Sequence, residues 1–119
     1  MNTKKIVYND YDNLTGESFL DMDQAFDLFG TLNWQKGTFL YFDINESETF
    51  QVFYQKEGLY LVEIANDSED MVYLQKFADA DQVRNLIQYY FEHQVVSTDG
   101  FYAVPIETKT LSDVMRETN

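Results

Sequence analysis

"GTFLYFDINESETFQVFYQKEGLYLVEIANDSEDMVYLQKF", residues 37–77, decides the fold class. Four runs inside it are rich in β-branched and aromatic residues: 37–44, 49–55, 58–64 and 71–77. That enrichment and length are those of strands. The links between them are short and polar: "NESE", "KE" leading into Gly58, and "ANDSED". Strands joined so closely are expected to pair as an antiparallel meander. Alternation puts Leu40, Phe42, Ile44, Phe50, Val52, Tyr54, Tyr60, Val62 and Ile64 on one face. Phe39, Tyr41, Phe53 and Leu61 fall on the other. A face exposed to water should be less aromatic, so either a further element covers it, such as the first helix or the C-terminal segment, or it awaits a partner.

Outward from this centre, "DADQVRNLIQYYFEHQ" (79–94) spaces Val83, Leu86, Ile87, Tyr90 and Phe91 along one helical stripe. Asp79 with Gln82 has the pattern of a capping box. "FLDMDQAFDLFGTL" (19–32) has helical spacing opened by Asp21 or Asp23, with Gly30 as a stop. "KKIVY" (4–8) reads as an edge strand and 9–18 as an acidic loop. "GFYAVPI" (100–106) adds a last strand, with Pro105 favouring an edge, and "TLSDVMRETN" a weak terminal helix or frayed tail. The expected fold is one α+β domain over 1–119. Its antiparallel sheet is a meander of about four to six strands, with an N-terminal helix and a C-terminal amphipathic helix packed on it.

The chain has 119 residues, enough for a single core, and 17% aromatic residues, which argues against disorder. Its net charge is −13, from 21 acidic and 8 basic residues. Such a charge repels nucleic acid and anionic membranes and draws in a basic protein. No cysteine is present, which removes disulfides and thiol chemistry. The apolar run at Ile6–Tyr8 is too short for a signal peptide, and no stretch approaches a membrane span, so the cytoplasm is the expected location.

Candidate chemistry is sparse. Asp10 and Asp12 imitate the start of a calcium loop, but Leu14 occupies the fifth position, Gly16 comes one residue late and Asp21 stands where a bidentate glutamate belongs. His93, the single histidine, sits at a helix end, where it suits the negative pole of the helix. No phosphate loop, dinucleotide fingerprint or nucleophile elbow occurs. Neither a catalytic residue, a metal nor a cofactor is expected.

The acidic turns are more telling. In a meander, alternate connections share one end of the sheet. Residues 45–48 and 65–70 should therefore meet, gathering Glu46, Glu48, Asp67, Glu69 and Asp70 with Asp43 just below. Strands about 4.8 Å apart keep such charges within roughly one Debye length. With Tyr41 and Phe53 nearby, these residues form the candidate partner-binding surface.

The order of signals resembles that of small immunity proteins from bacterial polymorphic-toxin systems. The likeness rests on Trp34 and Gly37, Gly58 to Glu63, the helical Val83, Leu86, Tyr90 and Phe91, and Gly100 to Tyr102, and spans about residues 33–104. It departs at Phe101 and Tyr102, where that group often has tryptophan. The resemblance implies a cytoplasmic inhibitor that binds a cognate basic toxin domain, for instance a nuclease, and covers its active site. The expected partner is thus a basic protein, with no direct contact to nucleic acid or membrane; a homodimer stays open. Alternatives are a phage-type DNA mimic of the anti-restriction or anti-CRISPR kind, a small enzyme using a carboxylate pair, and an assembly adaptor.

Overall fold

The computed structural model describes residues 2–10, 12, 14–67 and 70–118. Along the chain run β1 (Lys4–Asn9), β2 (Thr15–Leu20), α1 (Met22–Thr31), β3 (Phe39–Asp43) and β4 (Glu48–Lys56). They are followed by β5 (Leu59–Asn66), β6 (Val72–Ala78), α2 (Ala80–His93), β7 (Tyr102–Pro105) and α3 (Leu111–Thr118). All seven strands form one antiparallel sheet in the order β2-β1-β3-β4-β5-β6-β7.

The meander from β3 to β6 is present. Glu57 and Gly58 close its central hairpin, and Gly58 has φ +76°, a left-handed conformation that glycine adopts without steric cost. The sheet nevertheless has more strands than the meander explains. "TGESFL" forms β2 although it was expected to be part loop and part helix. Its glycine, serine and glutamate disfavour strands, but pairing with all of β1, from Lys4↔Leu20 to Asn9↔Thr15, overrides that local preference. In consequence β1 is an interior strand between β2 and β3, not an edge.

Helix α1 begins after Asp21, which accepts the Gln24 N–H (2.8 Å) while the Gln24 side chain accepts the Asp21 N–H (3.0 Å). Gly30 lies inside this helix and does not stop it; Leu32 is the cap. Asp79 and Gln82 make the same reciprocal pair at the start of α2 (2.9 Å each way). The terminal segment is a third helix, α3, started by a reciprocal bond pair between Thr110 and Asp113.

Helices α1 and α2 share one face of the sheet. There Ile6, Leu40, Phe42, Phe50, Val52 and Val62 have no exposed surface, nor do Ala25, Val83 and Ile87 from the helices. The opposite face has two parallel rows of register partners. One runs Phe39, Phe53, Leu61, Phe77, and the next runs Tyr41, Gln51, Glu63, Gln75, Tyr102. Residues 106–112 lie over part of it, bounding an open hollow of about 400 Å³ with Leu61, Gln75 and Phe77. Leu111 and Val104 are buried there, apart from the main core.

Candidate protein-interaction surface

The two acidic turns meet. The Asp67 N–H donates to the Ser47 carbonyl at 3.1 Å, and register pairs Asp43↔Thr49 and Glu48↔Asn66 lead both turns to the same end. The β3–β4 turn is held by its own hydrogen bonds. Ile44 and Asn45 N–H groups donate to the Glu48 carbonyl (3.0 and 3.3 Å), and the Asn45 amide donates to the Glu48 carboxylate (2.9 Å). Ser47 N–H and hydroxyl both donate to Asn45 Oδ1. The Tyr90 hydroxyl of α2 donates to the Asp43 carbonyl at 2.5 Å, tying helix to turn. Burial, then the Asp43 charge, pushes that phenol up to about 12.

Glu46, Asp67 and Asp70 are exposed and Glu48 is half-buried. Glu69 lies outside the described residues. Asp43 is not a lone charge, since Lys5 Nζ stands 3.7 Å from it and 3.4 Å from Glu17. Beside the turns, on the helix side, opens a hollow of about 360 Å³ lined by Ile44, Glu48, Ile64, Leu74, Val95 and Val96. Val95 at its rim is 51% exposed. A partly apolar hollow with the Glu48 carboxylate at its wall is the kind of place where an interface buries an anchor residue.

Tyr41 and Phe53 sit on the opposite sheet face, with ring centroids 6.1 Å apart and edge to face, and Phe39 stacks on Tyr41 at 4.4 Å. Asp43, two residues from Tyr41 on the same face, links this aromatic group to the acidic end.

One residue of this face escaped sequence reasoning. Glu63, on the central strand β5, is 9% exposed, and its carboxylate accepts a hydrogen bond from Gln75 Nε2 at 2.5 Å. Burial raises its proton affinity, and the Gln75 bond offsets part of the rise. The same charge, after burial, pushes up the Tyr41 phenol. The signal was a polar residue at each of three successive register positions, Gln51, Glu63 and Gln75, legible only once the pairing is known.

The calcium-like stretch has a structural use. Asp10 is buried; its Oδ1 accepts the Asp12 and Leu14 N–H groups (3.0 and 2.8 Å) and its Oδ2 that of Asn33 (3.0 Å). The Asn33 N–H is the main reason its acidity is strengthened, against burial. Asp12 accepts the Asn33 amide (2.9 Å). These bonds fasten the β1–β2 connection to the segment entering β3. Among the described residues no group of three or more His, Asp or Glu is placed to hold a metal ion. His93 lies against Tyr89, with ring centroids 4.3 Å apart.

A cleft of about 500 Å³ holds Asp21, Asp23 and Glu92, yet the carboxylate with raised proton affinity, Glu63, is on the other side of the sheet. Among the described residues no helix is long and apolar enough to cross a membrane. No family model matches the chain, and neither a curated protein nor a solved structure matches it.

Proposed function

We propose that this chain is a cytoplasmic binding protein, and not an enzyme, that neutralises a basic protein in the manner of a polymorphic-toxin immunity protein. Its acidic end covers the cationic site of the partner, for instance the phosphate-binding groups of a nuclease toxin. The observation that carries this reading is the 3.1 Å hydrogen bond from Asp67 to Ser47, which unites the two acidic turns. Glu46, Glu48, Asp67 and Asp70 then lie around one joined tip, where their potentials add because neighbouring strands are closer than a Debye length. The adjoining hollow at Ile44 and Val95 receives an apolar side chain, which supplies the short-range complementarity that charge alone lacks. A charge-assisted contact contributes about 1.5–3 kcal/mol, so a few such contacts and one anchor reach nanomolar affinity.

The test is association kinetics with the basic protein that the immobilised chain retains at low ionic strength. The on-rate should fall steeply with added salt while the off-rate changes little. The combined variant Glu46→Gln, Glu48→Gln, Asp67→Asn should associate more slowly by about tenfold or more. An on-rate indifferent to salt, or a triple variant that associates at the native rate, would defeat the proposal.

A further inference from the structure

The sheet ends differently at its two edges. β7 has four residues, closes on Pro105, which lacks an N–H, and has α3 packed beside it. β2 has six residues, pairs on one side only with β1, and contains neither proline nor lysine. Natural sheets blunt exposed edges with such residues, because an unpaired row of N–H and C=O groups recruits another strand. On β2 the one such device is the charge of Glu17, and the strand presents a large apolar group on the same face: Phe19 is 69% exposed. At Gly16 a β-carbon would stand 2.8 Å from the Tyr8 hydroxyl oxygen, so the β1 ring covers that position.

Local charge selects what such an edge accepts. Residues 9–24 carry five carboxylates and no lysine or arginine. Lys5 on β1 stands between Glu17 and Asp43 and is occupied by both. A second copy of this chain would bring the same carboxylates and its own charge of −13 to the contact, which opposes self-pairing. We propose that β2 accepts, by strand addition, an extended segment of a basic protein, with a lysine or arginine beside Glu17 and an apolar residue against Phe19. Main-chain hydrogen bonds to β2 hold the segment, and the two cross-strand contacts fix its register and sign of charge. The site adjoins the acidic end through Lys5, which bridges Glu17 and Asp43, but uses the β2 edge and stands whether or not inhibition is the function.

The test uses the full chain, isotope-labelled, titrated with a short capped peptide that alternates threonine with lysine, phenylalanine and lysine, and with a matched peptide carrying glutamate for lysine. Amides of residues 15–20 should gain hydrogen-exchange protection with the lysine peptide. The glutamate peptide should bind about tenfold more weakly, and Glu17→Lys should invert that preference. The triple variant at the acidic turns should bind the lysine peptide as the native chain does. The proposal is overturned by equal binding of both peptides, by a response confined to residues 43–48 and 65–67, or by β2 protection that grows with protein concentration alone. The last result would assign the edge to a second copy.

Discussion

The two faces of this sheet are made by the same strands, yet one of them carries a row of polar residues through its centre. On the helix-covered face the row Ile6, Phe42, Phe50, Ile64 is apolar and buried throughout. One step along the strands, the other face reads Val7, Tyr41, Gln51, Glu63, Gln75, Tyr102. The first arrangement suits stability, since two helices close over it and keep its apolar side chains from water. The second places an ionisable group where water is scarce. A face relieved of holding the core together is free to carry polar groups whose use lies outside the folded monomer.

The sharpest way to break this contrast is to remove one ring from each face. Phe42 is fully buried and packs against Phe50 (5.3 Å) and Tyr90 (5.7 Å). Phe42→Ala should cost about 3–5 kcal/mol, a large share of the stability of a small domain. Phe53→Ala on the opposite face should cost about 1–2 kcal/mol, chiefly its contact with Tyr41. Urea unfolding of the two variants checks both. Equal losses would mean that the second face is a core in its own right.

Glu63 gives a second, pH-dependent contrast. Burial raises its folded pKa above the ordinary glutamate value. As pH rises from that value, the unfolded chain releases the proton first, so native stability falls until the folded group ionises as well. Glu63→Gln keeps an acceptor for Gln75 and removes the charge. It should raise the denaturation midpoint at neutral pH and erase this falling limb. Asp10 works in the other direction: its folded pKa is depressed, so its stabilisation is present above the unfolded value and is lost as pH falls through the folded one. In the Glu63→Gln chain the acid limb of Asp10 should therefore stand out more clearly. Parallel pH profiles for native and variant proteins would sink the assignment of a buried charge at Glu63.

These features were unequally visible in the sequence. The meander, both helical stripes and the meeting of the acidic turns follow from local alternation, capping patterns and short links, and local signals survive folding. What was hidden depends on long-range pairing. "TGESFL" becomes a strand because β1 supplies a partner, and no propensity within it announces that. Glu63 reads as one polar residue in a strand until the register aligns it with Gln51 and Gln75. Lys5 was an unremarkable N-terminal lysine until Glu17 and Asp43 came to either side of it. α3 was underestimated because a helix of eight residues is marginal alone and relies on packing at Leu111.

The smallest expected effect is at the rim of the second face. Phe19 is the most exposed of the large apolar residues described, so Phe19→Thr removes little buried surface and keeps a residue suited to strands. Unfolding free energy should change by no more than about 0.5 kcal/mol, while affinity for a strand-like basic peptide falls. The separation of those two readouts is what distinguishes an edge kept for a partner from an edge that packs within the chain. A large stability loss that vanishes on dilution would show that Phe19 is buried in solution by another copy. The charge argument against self-pairing would then be wrong, because apolar contact at β2 would have outweighed the repulsion of two acidic chains.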